Sequence, residues 1–148
     1  MKQVSLFLFA IIVLGLGCKK EDQGEIDRNL ILQYLEDNNL TAIEDESGLF
    51  YIVDVPGGAQ KPTLSNNVTV TYKGYFLNGD VFDQTPAGED ITFPLSGVIE
   101  GWQIGIPKFG KGGSGQLFIP SSLAYGSRGS GGVGPNTVIL FDVALLDF

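Results

Sequence analysis

The chain has 148 residues and a net charge of −8, with 17 acidic and 9 basic side chains, one cysteine and no histidine. The negative charge argues against a nucleic-acid-binding protein, which needs a basic surface to displace the counterions of the phosphates. The lack of histidine excludes Ser-His-Asp and Cys-His catalysis, and the single cysteine excludes a disulfide within the chain. The length allows one ordinary domain with its own core and a short appendage.

The first residues have the pattern of an export signal. Lys2 precedes a 14-residue run at positions 4–17 whose only polar side chain is Ser5. This run is shorter than the roughly 20 residues that span a bilayer, which favours a cleaved signal over a transmembrane helix. It ends directly before Cys18 and resembles a bacterial lipoprotein signal, although Gly15 stands where that signal usually has Leu. The resemblance implies removal of residues 1–17 and lipidation of Cys18; the alternative is an ordinary secretory signal with an incidental cysteine.

Residues 18–46 are predicted to form an acidic tether. Between positions 21 and 46 there are nine acidic side chains and one basic side chain, Arg28. A four-residue apolar spacing predicts an amphipathic helix over residues 25–38. Two rows carry this spacing: Ile26, Leu30 and Tyr34, and Ile31 and Leu35. We expect the acids to solvate the spacer. The lysines and acids that follow Cys18 resemble sorting signals for the outer membrane or cell surface, and a solvated charge run is the alternative.

From about residue 47 the apolar pattern changes to a period of two, which predicts strands. Short strands are predicted at residues 49–55, 68–72, 91–95, 116–119 and 138–146. The Asn78-Gly79-Asp80 sequence predicts a hairpin turn, because Asn and Gly tolerate positive φ. One face of the last strand carries Ile139, Phe141, Val143 and Leu145. Since only residues 98–106 have a helical pattern, the predicted class is α+β, with about five antiparallel strands and one short helix.

Two glycine-rich stretches match the Gly-x-Gly-x-x-Gly pattern of dinucleotide-binding loops, at residues 110–115 and 129–134. Such a loop holds a pyrophosphate only when a strand precedes it and a helix N-terminus follows it. Here a predicted strand follows the first match, and Pro135 with another strand follows the second. We therefore interpret both stretches as turns. No cofactor is expected, and no clustered aspartates predict a metal site.

Five short motifs occur in order: Val70-Thr71-Tyr72-Lys73-Gly74, Val81-Phe82-Asp83, Val98-Ile99-Glu100-Gly101-Trp102, Leu123-Ala124-Tyr125-Gly126 and Leu140-Phe141-Asp142-Val143. Their order and spacing resemble the FKBP-type peptidyl-prolyl isomerases over residues 47–148. The resemblance implies a twisted antiparallel sheet wrapped around one short helix, with an aromatic pocket between them. It also implies rotation of X-Pro bonds. Together with the lipoprotein signal, it predicts an enzyme that acts on exported proteins in a bacterial cell envelope, either periplasmic or at the outer membrane or cell surface. Such a reaction needs neither a nucleophile nor a base.

The resemblance also assigns roles residue by residue. The residues expected to form the pocket are Trp102 at the floor, Tyr72, Phe82 and Phe141 at the walls, and Val98 and Ile99 at the rim. The Ile99 N–H and the Tyr125 hydroxyl are expected to donate hydrogen bonds to the substrate. The Asp83 carboxylate is expected near the carbonyl of the twisting bond. Without the ordered motifs, these aromatic side chains would be interpreted as ordinary core residues.

Three features depart from the family pattern. Ile91 stands where members often have a pocket Phe, Val133 replaces a bulkier rim residue, and no arginine lies between Asp83 and Ile91 to pair with the carboxylate. The absent arginine and Ile91 favour an alternative function, a proline-peptide-binding chaperone or scaffold with vestigial catalysis. The expected partners are proline-containing polypeptides, macrolide ligands and a membrane, reached through lipid on Cys18. We expect a monomer that binds no nucleic acid.

Overall fold

The computed structural model describes residues 22–148. The predicted signal, Cys18 and the lysines that follow it lie outside the described residues. The described part has these helices and strands: α1 (Gln23–Asp37), β1 (Ile43–Glu44), β2 (Phe50–Val55), β3 (Asn67–Tyr75), β4 (Val81–Gln84), β5 (Ile91–Pro94), α2 (Glu100–Gly105), β6 (Gly113–Ile119) and β7 (Ile139–Asp147). Short 3-10 helices lie at Leu95–Gly97, Ile106–Lys108 and Ser121–Leu123. Within residues 22–148, neither α-helix has the length and apolarity that a membrane span requires.

The strands form one antiparallel sheet in the order β1-β2-β6-β7-β3-β4. Strand β5 also pairs with β3, so β4 and β5 share one edge of that long strand. The predicted α+β class is confirmed. The sheet has seven strands in the described part rather than about five, because the two-residue β1 and the four-residue β4 are too short to show a period of their own.

The main core lies between one face of the sheet and the short helix α2. The alternation predicted for the last strand is confirmed, since one buried cluster contains Ile139, Phe141, Val143 and Leu145. Helix α2 approaches β6 closely at two glycines one turn apart. A Cβ atom on Gly105 would lie 2.7 Å from Leu117, and one on Gly101 would overlap Ile119. This close approach brings the helix down onto the sheet beside the aromatic side chains of β3 and β7.

Helix α1 covers the opposite face of the sheet. Its predicted span of 25–38 is close to the observed Gln23–Asp37, and Asn38 and Asn39 end it. Ile31 and Leu35 are buried in a second cluster, together with Phe50, Tyr75, Phe118, Val138 and Leu140. The prediction that the acids of this segment only solvate a spacer is wrong for Asp27, whose side chain is fully buried. Helix α1 is therefore packed onto the sheet.

Candidate functional site

A cleft of about 290 Å³ opens between α2 and the inner face of the sheet. Its lining residues come from four strands, from the turn that leads into α2, from that helix and from the loop that carries Tyr125: Tyr72, Asp83, Phe93, Gly97, Val98, Ile99, Trp102, Tyr125 and Phe141. A concave, largely aromatic surface with a few convergent polar groups is the usual form of a small-ligand site. This cleft is the candidate functional site.

Trp102 forms the centre of the aromatic lining and is only 4% exposed. Its ring meets those of Phe141 and Tyr72 edge-on, with centroid distances of 5.1 and 5.2 Å, and the ring of Phe93 at a tilt, at 5.5 Å. Edge-to-face contacts of this kind are the preferred arrangement of aromatic pairs. The indole N–H is buried and has no acceptor among the described residues. The floor of the cleft is therefore a rigid, desolvated aromatic surface.

The polar groups of the cleft centre on the exposed Asp83 carboxylate. The Tyr72 hydroxyl donates a hydrogen bond of 2.6 Å to its Oδ2 atom. Burial raises the pKa of Tyr72 well above its usual range, and the bond to Asp83 raises it further. Burial, followed by the charge of Asp83, also raises the pKa of Tyr125. Both hydroxyls are consequently protonated donors at neutral pH. Tyr72 holds Asp83 where the sequence lacks the expected arginine.

The rim of the cleft is the turn that leads into α2. Ile99 is the N-cap residue of this helix, and its carbonyl accepts bonds from the backbone N–H groups of Trp102 and Gln103 at 3.0 and 3.2 Å. The Gln103 side chain reaches back and donates to the Val98 carbonyl at 2.8 Å. Within the described part of the chain the Ile99 N–H has no acceptor. The rim thus combines a fixed backbone with a free donor.

The prediction that Ile91 forms a wall of the cleft is wrong. Ile91 is the first residue of β5 and is 43% exposed, whereas Phe93 lines the cleft and contacts Trp102. Residues two apart in a strand share a face, so the alternating pattern does not indicate which of the two reaches the helix. Phe93, two residues after Ile91, supplies the aromatic wall that was expected at position 91.

Two other predicted positions also differ. Phe82 does not line the cleft; its ring packs on Phe141 and Phe76, with centroid distances of 5.6 and 5.0 Å. Val133, expected at the rim, is 5% exposed and belongs to the main core. Paired backbone hydrogen bonds of 2.9 Å between Ser130 and Val133 close a tight turn that directs this side chain inward. Phe82 therefore supports the cleft residue Phe141 from behind, and Val133 is a core residue.

The remaining predicted residues do converge on the cleft: Tyr72, Asp83, Val98, Ile99, Trp102, Tyr125 and Phe141. Sequence reasoning missed Phe93, Gly97 and the bridging role of Gln103. A second cleft of about 320 Å³ lies over the outer face of the sheet, with mostly polar lining that includes Thr71, Lys73, Gln116 and Asp142. It has no comparable aromatic floor. Among residues 22–148, no group of three or more Cys, Asp or Glu side chains could hold a metal ion.

Comparisons with known proteins agree with this geometry. A family model described as FKBP-type peptidyl-prolyl cis-trans isomerase matches residues 58–146. The chain is 44% identical over 102 residues to the probable FKBP-type isomerase FkpA of Neisseria meningitidis serogroup B, which covers 68% of this chain and 38% of that protein. It is 41% identical over 102 residues to the outer membrane protein MIP of Legionella longbeachae, and the match covers 68% of this chain and 44% of that protein.

A solved structure is similar as well. The crystal structure of FkpA from Escherichia coli matches with a TM-score of 0.71 and 35% identity, over 84% of this chain and 62% of that one. The chain spans less than half the length of the two curated relatives named above.

Proposed function

Because the chain belongs to the FKBP-type peptidyl-prolyl cis-trans isomerase family, we propose that it catalyses cis–trans rotation of X-Pro bonds in exported polypeptides. One observation carries the proposal: the aromatic cleft, lined also by Asp83, Tyr125 and Ile99. The proposal concerns the cleft of this chain itself, since the relatives contain further sequence.

The chemistry of the reaction suits such a cleft. Rotation about a peptide bond has a barrier of roughly 18–20 kcal/mol, which arises from amide resonance. Resonance separates charge in the planar amide, so an apolar, water-excluding surface such as that around Trp102 disfavours the planar state relative to the twisted one. Hydrogen bonds that form best with the twisted amide lower the barrier further, because only interactions stronger in the transition state accelerate the reaction.

Each group of the site has a role in this mechanism. The proline ring of the substrate packs on Trp102, between the walls formed by Tyr72, Phe93 and Phe141. The free Ile99 N–H and the Tyr125 hydroxyl donate to substrate carbonyls, and Asp83 lies near the carbonyl of the twisting bond. No proton is transferred, which is consistent with a chain that has no histidine.

Two sequence features favoured a binding module over an enzyme, namely the absent arginine and Ile91. Two contacts in the cleft compensate for both differences. Tyr72 donates to Asp83 in place of an arginine, and Phe93 provides the aromatic wall against Trp102. These contacts support catalysis. The alternative, a module that binds proline-containing peptides without turnover, is distinguished by the experiments that follow.

The test is a protease-coupled assay on a proline-containing peptide. We expect Tyr125→Phe and Asp83→Ala each to lower kcat/KM by about tenfold, the effect of losing one transition-state interaction. Neither variant should unfold the domain. Trp102→Ala should lower both activity and stability, since truncating a buried Trp costs about 3–5 kcal/mol.

A control separates loss of catalysis from loss of the cleft. Trp102 is the only tryptophan, so its fluorescence reports a titration with a macrolide of the kind that the family binds. Tyr125→Phe should still show saturable quenching. Unchanged kcat/KM in both polar variants would remove the site assignment. Saturable quenching without turnover in the unmodified protein would favour the binding module.

We also propose that the protein is attached to the bacterial cell envelope by lipid on Cys18. The apolar run before this residue supports the proposal, as does the name of the Legionella longbeachae relative, an outer membrane protein. The test expresses the full chain and a Cys18→Ser variant and follows both by membrane fractionation. We expect the unmodified protein in the membrane fraction and the variant lost from it. Equal distribution of the two would contradict the proposal.

A further inference from the structure

Asp27 of helix α1 makes a buried contact with the loop that leads to Tyr125. Its side chain is fully buried, and its Oδ2 atom accepts hydrogen bonds from the Ser121 N–H at 2.7 Å and the Ser121 hydroxyl at 2.6 Å. Its Oδ1 atom accepts a third bond, from the Gln23 side chain, at 2.7 Å. Ser121 is itself 2% exposed. The contact joins residues that are 94 positions apart.

Stability alone gives no reason for a carboxylate at this position. Removing a charge from water costs several kcal/mol, and its hydrogen bonds generally do no more than offset that cost. An apolar side chain would pack α1 onto the sheet equally well, as Ile31 and Leu35 do on the same helix. What an apolar residue would not do is fix the direction and position of the Ser121 backbone.

The position of Ser121 in turn determines the backbone on both sides of Tyr125. The Ser121 carbonyl accepts hydrogen bonds from the N–H groups of Ala124 at 3.1 Å and Gly126 at 2.8 Å. These two residues directly precede and follow Tyr125, whose side chain lines the cleft. A continuous series of hydrogen bonds therefore runs from α1 to the neighbours of Tyr125.

We propose that Asp27 is a positioning residue for the isomerase reaction, which holds Tyr125 in place through Ser121. Helix α1 precedes the residues that match the family model, 58–146, yet by this contact it supports the active site. The inference rests on the proposed function, because it takes Tyr125 as a substrate-binding donor.

The first test compares two substitutions in the same helix. Asp27→Ala removes the link to Ser121, while Ile31→Ala removes packing of α1 and leaves the link intact. At a temperature where circular dichroism shows every variant folded, we expect Asp27→Ala to lower kcat/KM by about five- to tenfold. Ile31→Ala should stay within about twofold despite lower thermal stability. Asp27→Asn, which keeps an acceptor for Ser121, should recover part of the loss and guards against failure of Asp27→Ala to fold.

The second test asks whether the effect passes through Tyr125. In a Tyr125→Phe background, adding Asp27→Ala should cause no further loss, because the donor that Asp27 positions is already absent. A further five- to tenfold loss of kcat/KM in the double variant would overturn the proposal. So would kcat/KM values for Asp27→Ala and Ile31→Ala that fall in proportion to their stability.

A third measurement does not depend on activity. Amide hydrogen exchange at Ala124 and Gly126 should quicken in Asp27→Ala and remain unchanged in Ile31→Ala. Unchanged exchange in both variants would overturn the proposal even if the protein proved to have no isomerase activity. Lack of turnover in the unmodified protein, with faster exchange in Asp27→Ala, would instead remove the proposed function and keep the positioning of the loop.

Discussion

At the scale of the residue, the hydroxyl of Tyr72 distinguishes this site from what the sequence predicts. Tyr72 is expected only as an apolar wall, yet it also donates the 2.6 Å bond to Asp83. The pairing of Gly74 with Asp83 across the β3–β4 hairpin sets this geometry, because it places Tyr72 diagonally opposite the carboxylate. An exposed carboxylate moves freely unless something orients it. Tyr72 restricts Asp83 to the mouth of the cleft.

This contact predicts the behaviour of Tyr72→Phe. The ring keeps its place against Trp102, but Asp83 loses the donor that orients it, so we expect kcat/KM to fall by about threefold to tenfold. Stability should change by no more than about 0.5–1.5 kcal/mol, the net value of one hydrogen bond. The peptide assay and urea unfolding measure the two effects.

A double variant serves as the control. If Tyr72 acts through Asp83, then adding Tyr72→Phe to Asp83→Ala should lower kcat/KM no further. Independent, multiplying losses would show that the Tyr72 hydroxyl acts on the substrate directly.

At the scale of the element, the depth of the cleft depends on how closely α2 approaches β6. Two glycines in a six-residue helix are unfavourable for helix formation. They are explained by contact, since Gly101 lies against Ile119 and Gly105 against Leu117, with no space for a Cβ atom. Trp102 follows Gly101 directly, so the height of this helix above the sheet also sets the height of the cleft floor.

We therefore expect Gly101→Ala to destabilise the protein by about 1–3 kcal/mol, the usual cost of overpacking a core. Gly24→Ala is the matched control. Gly24 lies in the first turn of α1, and a Cβ atom there would make only an ordinary contact of 3.5 Å with the Asp22 side chain. The gain in helix propensity should stabilise that variant by up to about 1 kcal/mol. Equal urea midpoints for Gly101→Ala and the unmodified protein would show that α2 can move away from β6.

The elements also show what sequence patterns can and cannot predict. The long strands are predictable, because a period of two persists over residues such as Val68, Val70 and Tyr72. The choice between Ile91 and Phe93 is not, because both share one face of β5 and only the tertiary structure decides which meets Trp102.

Asp27 illustrates a limit of another kind. In sequence it is one acid among the nine of its segment, and its partner Ser121 lies 94 residues away. No local pattern distinguishes a buried acid from a solvating one. The core of the site is thus predictable from ordered motifs, whereas the contacts that position it need the structure.

At the scale of the whole molecule, charged pairs hold the N-terminal segment, residues 22–46, in place. Arg28 makes a two-pronged contact with Glu44, at 2.7 and 2.8 Å, which ties α1 to β1. Asp45 then pairs at 2.6 Å with Lys108, in the 3-10 helix that directly follows α2. The segment is therefore attached to the part of the core that carries the cleft floor. Glu44 and Asp45, which were expected only to solvate this segment, therefore also attach it to the rest of the protein.

The Asp45 pair predicts a specific dependence of stability on pH. The hydrogen bond from Lys108, aided by the Ser47 N–H, lowers the pKa of Asp45 to about 2, below its value of about 3.9 in an unfolded chain. A lowered pKa in the folded state stabilises the protein above the unfolded pKa, and this contribution is lost as the pH falls from about 4 to about 2. It should be on the order of 1 kcal/mol, because the Asp45 side chain is still 23% exposed.

Urea unfolding of the unmodified protein and Asp45→Asn tests this at pH 5 and at steps down to about pH 2. We expect the unmodified protein to be more stable at pH 5 and the difference to shrink to a small remainder near pH 2, where the Asp45 carboxyl of the folded protein is about half protonated. Asp147→Asn is the control, since its pair with Lys111 lies mostly in solvent and should give a smaller difference at every pH. A difference for Asp45→Asn that stays constant with pH would show that the ionised pair with Lys108 does not hold the N-terminal segment to the core.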